Sequence, residues 1–201
     1  QVVDLTHEMH EDMTFWPGGI AFDKTKVLDY GDYGYRMHKF SVGENTGTHA
    51  DAPSHFIRGA DMLDDIPAKD LILPAVVIDV QDEAAENADY RLSAERVREF
   101  EDEHGRIPAN ALVIMNSGWH DKFDTQKAYA NQDDEGTLHF PGFGKSAAEV
   151  LVKRNVAAVA TDTLSIDAGE AGDFPAHNMF FDNGVWGMEN LTNLDALPPT
   201  G

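Results

Sequence analysis

Short apolar runs rich in β-branched residues recur along the chain and form its clearest structural pattern. Continuous runs of this kind, bounded by polar segments, are typical of strands buried on both faces of a sheet. The pattern predicts buried strands over residues 73–80, 111–115 and 156–161. It also predicts a strand over residues 35–42 and a short opening strand over residues 2–6.

Two segments between these strands have helical signals. Residues 94–103 place apolar side chains on one face and charged ones on the other, with Ser93 as the expected N-cap. Residues 147–154 are the second predicted helix, and Ser146 and Glu149 have capping-box spacing at its start. Both helices lie between predicted strands, so they are expected to cover the sheet.

The remaining segments contain turn signals and no internal repeat. A proline followed by paired glycines predicts a turn at residues 15–19. Strands that alternate with helices indicate a mixed α/β fold. A chain of 201 residues is of ordinary size for one domain, so a single domain over residues 1–201 is predicted.

The charge balance limits the partners. The chain has 36 acidic and 15 basic residues and a formal net charge of -21. Such a charge repels nucleic acid and anionic membranes, and no apolar run approaches the ~20 residues that span a bilayer. We interpret the acidity as a halophilic adaptation to a salty cytoplasm. An ordinary acidic protein is the alternative, and stability measured against KCl separates the two.

The chain has no cysteine. Disulfides and thiolate metal sites are therefore excluded, and any metal must be held by His, Asp or Glu. This ligand set suits a catalytic Zn²⁺ or Mn²⁺ ion better than a closed structural zinc site. The absence of cysteine also fits a cytoplasmic protein.

Residues 45–55 hold the most concentrated candidate chemistry. In an extended segment alternate side chains project to one side, so His49 and Asp51 are expected to point into one site. An imidazole beside a carboxylate suits Zn²⁺ or Mn²⁺. Pro53 ends any regular ladder and stiffens the turn that carries His55. The simpler interpretation is a polar loop with two incidental histidines.

Two ligands alone would bind a metal weakly, so further ligands are expected elsewhere in the chain. Many carboxylates are available, and spacing does not choose among them. It does not choose among the remaining histidines either, which are His7, His10, His38, His104, His120, His139 and His177.

The same run carries a family resemblance. It resembles the signature His-x-Gly-Thr-His-x-Asp-x-Pro-x-His of the metal-dependent cyclase family, which includes bacterial kynurenine formamidase and isatin hydrolase. The chain matches the signature at Gly47, Thr48, His49, Asp51, Pro53 and His55. It departs at the first position, where Asn45 replaces histidine. Residues 140–143, 162–167 and 189–198 resemble later blocks of the family.

The resemblance implies a fold, an assembly and a site. The fold is a swivelling β/β/α domain, and the assembly is a homodimer or homotetramer. Family members continue beyond the end of this chain, which implies truncation at the C-terminus. The implied metal ligands are His49, Asp51, His177 and Glu189. His55 matches the last signature histidine and is implied to transfer protons, a role that imidazole side chains perform near neutral pH.

Asn45 affects the expected number of metal ions. In the two-zinc members of the family the first signature histidine belongs to the metal cluster. An amide oxygen is a poorer zinc ligand than imidazole. We therefore expect one divalent metal, Mn²⁺ or Zn²⁺, with Asn45 beside the ligands rather than among them. Asp162 is expected either to orient a ligand histidine or to cap a turn.

Three aromatic residues are candidates for contact with the substrate. Phe15 and Trp16 lie on the Pro-Gly turn, and Trp119 lies where the family often has a Thr-Gly-Trp sequence. The alternative is that these side chains pack in the core or in an interface.

The predicted function is metal-dependent hydrolysis of a small molecule. The bond cleaved is the C–N bond of a cyclic amide or an aryl formamide. One alternative is a lyase or cyclisation reaction at the same metal site. Another is a catalytically idle protein that binds a metal or a small molecule. Neither a Gly-x-Ser-x-Gly elbow nor a P-loop is present, which leaves little support for serine-hydrolase or nucleotide chemistry.

Overall fold

The computed structural model describes residues 2–201 and contains nine strands and six helices within that range. In chain order they are β1 (Asp23–Leu28), α1 (Tyr30–Tyr33), β2 (Met37–Ser41), β3 (His49–Asp51), β4 (Ala75–Asp79), α2 (Gln81–Glu86), β5 (Arg91–Leu92), α3 (Ala94–His104), β6 (Leu112–Asn116), α4 (Gln126–Ala130), β7 (Gly142–Phe143), α5 (Lys145–Lys153), β8 (Ala158–Thr161), α6 (Pro175–Phe181) and β9 (Trp186–Glu189).

A five-stranded mixed sheet lies at the centre, with strand order β3-β9-β8-β6-β4. Strands β4, β6, β8 and β9 are parallel, and β3 is antiparallel to β9. The terminal residues extend the other edge, since the amide of Ala75 donates to the carbonyl of Gly201 at 2.8 Å. Strands β1 and β2 form a separate antiparallel hairpin, and β5 and β7 form a short parallel pair.

Both faces of the parallel strands are buried, which explains their continuous apolar sequence. One face carries Ile78 and Val113 and packs against helices α3, α5 and α6. The opposite face carries Val77 and Ile114 and packs against Leu194. Alternation along each strand supplies one side chain to each cluster in turn, so a run without polar residues is required.

Most of the predicted elements are confirmed. The runs at 73–80, 111–115 and 156–161 form β4, β6 and β8, and residues 35–42 contain β2. Helix α3 covers residues 94–103 and begins after Ser93, as predicted. The hydroxyl of Ser93 accepts a hydrogen bond from the amide of Arg96 at 3.1 Å. The predicted mixed α/β class is therefore correct.

The turn at residues 15–19 is confirmed as well. The amide of Gly19 donates to the carbonyl of Trp16 at 2.8 Å. Gly18 lies between them with φ of 81°, a conformation that glycine adopts without steric cost. This turn places Trp16 at the edge of a cavity.

Two local predictions are wrong. Residues 2–6 do not form a strand, and only Thr6 makes an isolated bridge, to Leu191. Helix α5 begins at Lys145, so Ser146 lies inside it and does not cap it. The hydroxyl of Ser146 instead accepts from the amide of Ala94 at 3.2 Å. A contact with a neighbouring helix has replaced the expected local cap.

None of the helices within residues 2–201 combines the length and the apolar character that crossing a membrane requires.

Candidate metal centre

The pairing of β3 with β9 builds the centre of the site. His49 lies opposite Glu189 in the antiparallel register, and Asp51 lies two residues further along β3. Alternation along β3 puts His49 and Asp51 on one side, as predicted. The Nε2 atom of His49 lies 3.2 Å from Asp51 Oδ1 and 3.4 Å from Glu189 Oε2. Donor atoms of these three residues all lie within 4.8 Å of one another.

His177 approaches the same carboxylates from helix α6. Its Nε2 atom lies 3.2 Å from Glu189 Oε1 and 3.7 Å from Asp51 Oδ2. Each carboxylate therefore turns one oxygen towards His49 and the other towards His177. The structure thus brings together the four residues that the family resemblance implies as ligands.

Backbone contacts orient the imidazole of His49. Its Nδ1 atom lies 2.8 Å from the carbonyl of Gly47, which can only accept, so Nδ1 carries the proton. Gly47 has φ of 75°, and a Cβ there would lie 2.7 Å from the Cε atom of Met13. Glycine is therefore required at this position of the signature. The Nε2 atom of His49 is left facing the carboxylates.

A buried carboxylate orients His177 in the same way. Asp167 Oδ2 accepts from His177 Nδ1 at 2.7 Å and from the His177 amide at 3.0 Å. Asp167 Oδ1 accepts from the amide of Ala176 at 2.6 Å, which caps the start of α6. Hydrogen bonds of this kind fix the orientation of metal-bound histidines. Asp167 was not among the predicted site residues, although a buried aspartate ahead of a helix with a histidine is a usable signal.

The electrostatics of the cluster favour a cation. Burial opposes ionisation of Asp51 and Glu189, but the imidazoles of His177 and His49 lower the pKa of both carboxyls below its usual value. Burial also opposes charge on His49, but the nearby carboxylates of Asp51 and Glu189 outweigh it and raise the pKa of His49 to about 10. The same carboxylates, with Asp167, raise the pKa of His177 well above its usual value despite burial.

The cluster fits a divalent metal. The Nε2 atom of His49 is buried and has no hydrogen-bond partner among the described residues. A buried nitrogen that makes no hydrogen bond beside two carboxylates is costly unless a cation occupies the space between them. His49, Asp51 and Glu189 would hold the ion, with His177 as the fourth ligand that the family resemblance implies. Nitrogen and carboxylate donors in this combination suit Zn²⁺ or Mn²⁺.

Asn45 lies beside the ligands. Its side-chain amide donates to Asp51 Oδ1 at 2.6 Å. In this orientation the amide nitrogen, rather than the carbonyl oxygen, faces the cluster. The position agrees with the expectation that Asn45 supports a ligand without being one.

His55 occupies a different position from the buried histidines. It ends the short 3₁₀ helix Pro53–His55, and its side chain is exposed. Its ring centroid lies 6.3 Å from that of His177. Together with Glu189 it lines a cavity of about 560 Å³. An exposed imidazole at the wall of a cavity can exchange protons with a bound molecule and with water.

Aromatic residues form much of the cavity wall. Trp16 lines it, together with Phe56 and Phe174. The Phe56 ring is stacked on His177 with centroids 4.4 Å apart. Phe174 has φ of 48°, which is strained for a bulky residue and places its ring at the cavity next to Phe56. Phe56 and Phe174 were missed because no local pattern marks a phenylalanine as a cavity residue.

The other two predicted substrate contacts lie elsewhere. Trp119 is buried in a separate cluster with Phe140, and its ring N–H donates to the carbonyl of Tyr129 at 2.8 Å. The main chain of Phe15 is bonded to the side chain of Gln126. Neither lines the cavity that contains Glu189. Their positions agree with the alternative that they are packing residues.

Asp162 does not orient any of the ligand histidines. Its carboxylate accepts from the amide of Trp119 at 2.7 Å and lies 3.0 Å from His120 Nδ1. It also accepts from the hydroxyl of Ser117 at 2.6 Å. These contacts fix the turn after β6. The alternative that Asp162 caps a turn is the one that the structure shows.

Sequence comparison finds relatives of this chain among known proteins. Residues 3–168 match the family model named Cyclase. The isatin hydrolase of Roseibium aggregatum is 34% identical over 186 residues, which cover 88% of this chain and 70% of that protein. The kynurenine formamidase of Salinibacter ruber is 24% identical over 200 residues, covering 98% of this chain and 85% of that protein.

The solved structure of a relative has the same fold as this chain. Isatin hydrolase A from Labrenzia aggregata, bound to benzyl benzoate, superposes with a TM-score of 0.91 at 37% identity. The match covers 99% of this chain and 83% of that chain. The predicted cyclase-like fold is therefore confirmed. Since the family model covers most of its length and the isatin hydrolase relative matches it over 88% of its residues, the chain belongs to the Cyclase family.

Proposed function

We propose that the protein is a metal-dependent hydrolase that cleaves the C–N bond of a cyclic amide or an aryl formamide. The observation that carries the proposal is the convergence of His49, Asp51 and Glu189 beside a cavity that His55 also lines. The names of its relatives, isatin hydrolase and kynurenine formamidase, support this class of substrate.

The residues of the site have different roles in the proposed hydrolysis. His49, Asp51, Glu189 and, as the proposed fourth ligand, His177 would hold a divalent cation, which would supply Lewis acidity towards water and a carbonyl oxygen when bound. His55 delivers a proton to the nitrogen of the cleaved bond, because its imidazole is exposed at the cavity wall. Asp167 and the Gly47 carbonyl hold the two buried imidazoles in fixed orientations.

The cavity suits a small planar substrate. Its volume of about 560 Å³ lies within the range of small-molecule sites, which is roughly 300–1,000 Å³. Trp16, Phe56 and Phe174 provide apolar walls, and Glu189 and His55 provide the polar groups. Aromatic walls favour an aromatic ring and displace water from it. This arrangement supports a ring fused or attached to the amide that is cleaved.

The metal is proposed to be a single Mn²⁺ or Zn²⁺ ion. The support is the position of Asn45, which donates a hydrogen bond to Asp51 where a second-metal ligand would otherwise stand. The homodimeric or homotetrameric state and the cytoplasmic location stay predictions. So does the halophilic adaptation.

A hydrolysis assay tests the proposal. Isatin and N-formylkynurenine are incubated with metal-depleted protein, and with the same protein after addition of Mn²⁺ or Zn²⁺. Release of a carboxylate only after metal addition is the expected result. Conversion of either substrate without a carboxylate product favours the lyase or cyclisation alternative. Metal binding without conversion of any amide in a wider screen favours the idle binding protein.

A further inference from the structure

A second cavity, of about 480 Å³, is separate from the metal centre, and none of the four proposed ligands lines it. Its wall consists of the turn after β6, the segment after β9, and His7, which precedes β1. Strands β6 and β9 run parallel in the central sheet, so the cavity lies outside their carboxyl ends. Ligands of α/β proteins bind at that edge of the sheet. We call this space the two-histidine cavity, because His7 and His120 both line it.

His7 brings an imidazole nitrogen that lacks a hydrogen-bond partner. Its Nε2 atom is buried and bonds to none of the residues that the structure describes. The ring is held in place by stacking on Phe123, with the two centroids 3.7 Å apart. Burial, followed by the charge of His120, lowers the pKa of His7 to about 4, so the imidazole is neutral at pH 7. A buried nitrogen without a partner is rare in a folded protein, and its presence in a cavity wall points to a ligand.

His120 brings a second imidazole, which a buried carboxylate holds in a fixed orientation. The side chain of His120 is only 8% exposed, and its Nδ1 atom lies 3.0 Å from Asp162 Oδ2. Asp162 is fixed in turn by the amides of Ser117 and Trp119. A carboxylate that holds one nitrogen of a histidine in this way orients the other nitrogen towards a metal. The hydrogen bond to Asp162 also raises the pKa of His120, so an ion that binds there displaces a proton.

Carboxylates surround the two imidazoles. The cavity is also lined by Asp121, Asp124 and Asp195, which are exposed. Oδ1 of Asp121 lies 3.7 Å from Nε2 of His120, and the charge of Asp124 acts on His7. Among the described residues no lysine or arginine lines this cavity. Three carboxylates without a basic neighbour repel anions and attract a small cation, and two imidazoles select a cation that bonds to nitrogen.

We propose that the two-histidine cavity is a second, weaker metal site, in which His7, His120 and Asp121 hold an exchangeable divalent ion. Zn²⁺ and Ni²⁺ are favoured over Mn²⁺, because imidazole ligands bind Mn²⁺ least tightly among these ions. The proposal goes beyond the proposed hydrolysis and does not depend on it.

The ion links two parts of the chain. His7 belongs to the segment before β1, and its amide donates to Thr48 Oγ1 at 2.9 Å, whereas His120 belongs to the turn after β6. Binding stabilises the folded chain, because the unfolded chain does not bring these donors together. The side chain of Asp121 is 86% exposed and must be ordered on binding. The ion is therefore held less tightly than at the metal centre and is lost when unbound metal is removed.

The first test is a calorimetric titration with Ni²⁺ of the full chain without a polyhistidine tag. The parent protein carries His49→Ala, which disables the metal centre, and it is expected to bind one Ni²⁺ ion in the two-histidine cavity. Adding His7→Phe keeps the ring stacked on Phe123 but removes its nitrogens, and should weaken binding at least about tenfold. The control is His104→Gln, because His104 Nε2 also lies 3.7 Å from a carboxylate, that of Glu103, but outside the cavity. It should leave the affinity unchanged.

The second test uses Asp121→Asn in the same parent, a change at an exposed position that leaves the core intact. Weaker Ni²⁺ binding is expected again, and an excess of Ni²⁺ should raise the melting temperature of the parent more than that of either variant. Unfolding without metal establishes that all the variants are folded. A parent that binds no Ni²⁺ overturns the proposal, as does an affinity that both His7→Phe and Asp121→Asn leave unchanged. These measurements need no turnover, so failure of the proposed hydrolysis would be seen separately.

Discussion

His49 and Glu189 face each other across the antiparallel pairing of β3 and β9, with Nε2 and Oε2 3.4 Å apart. The two residues are far apart in the chain and are joined only by the sheet. The same pairing places Asp51 next to them, and helix α6 brings His177 to the other side of both carboxylates. The site is therefore a product of the sheet topology.

Replacing His55 should separate catalysis from metal binding. His55→Ala removes an exposed imidazole that lines the cavity, and His55 is not one of the proposed metal ligands. We expect kcat to fall by about 10²–10⁴-fold, the usual contribution of a general acid or base, while metal content stays unchanged. His10→Ala, at an exposed histidine outside the cavity, is the control. Loss of metal together with activity would instead make His55 a ligand.

Replacing Asp167 should weaken metal binding without removing a ligand. Asp167→Asn keeps the size of the side chain but removes the charge that fixes His177 Nδ1. Metal affinity is expected to fall about 10–100-fold, as for other residues that orient metal-bound histidines. Asp173→Asn, an exposed aspartate close to the start of the same helix, should leave the affinity unchanged. Titration calorimetry with Mn²⁺ measures both variants, and equal affinities would contradict the orienting role.

Metal binding should release protons in a pH-dependent way. In the metal-free protein the carboxylates overcome the effect of burial and raise the pKa of His49 from 6.5 to about 10. The metal needs the neutral imidazole, so at pH 7 it must displace a proton. Metal affinity should therefore rise with pH. Calorimetry in buffers of different ionisation enthalpy counts the released protons, and release of none at pH 7 would contradict the ionisation described.

The raised pKa of His49 also makes the stability of the metal-free protein depend on pH. A group whose pKa is raised on folding stabilises the folded protein. For His49 this contribution is complete below its unfolded pKa of 6.5 and is lost as the pH rises through its folded pKa of about 10. Metal-free protein should thus lose stability over this range. Bound metal should remove the dependence, because His49 is then neutral throughout. Thermal unfolding at several pH values, with and without metal, measures the difference.

Salt should stabilise the protein if the acidity is a halophilic adaptation. The acidic groups, which give the chain a net charge of -21, repel one another. This repulsion weakens as the Debye length falls from ~10 Å at 0.1 M salt to ~3 Å at 1 M salt. The melting temperature is expected to rise strongly between 0.1 M and 2 M KCl. A variant with Glu95→Gln, Glu99→Gln and Asp102→Asn, at exposed positions of α3, should depend less on salt. A melting temperature independent of KCl would favour an ordinary acidic protein.

The elements of the sheet could be predicted because burial on both faces requires uninterrupted apolar sequence. Strands β4, β6 and β8 satisfy that requirement locally, and no long-range information is needed to recognise them. The prediction for residues 2–6 failed because this segment makes a single bridge, from Thr6 to Leu191, rather than a continuous ladder. Ser146 failed because its hydroxyl bonds to a neighbouring helix, a choice that capping-box spacing does not reveal.

Only the part of the site that depends on local sequence could be predicted from the residues themselves. His49 and Asp51 follow from alternation within one strand, which is a local property. The positions of His177 and Glu189 in the site depend on strand order and on the position of α6. The sequence alone therefore left these two residues among many candidate ligands, and the family resemblance selected them. Trp119 and Asp162 lie in the turn after β6, whose contacts are set by packing with distant segments.

The central claim is that buried imidazole and carboxylate groups hold a divalent cation, and metal stoichiometry tests it most directly. The native protein and His49→Ala are equilibrated with Mn²⁺ or Zn²⁺, freed of unbound metal and measured by elemental analysis. One ion per chain in the native protein and almost none in His49→Ala is the predicted result. Equal metal content in the two proteins, or no retained metal in the native protein, would contradict the account.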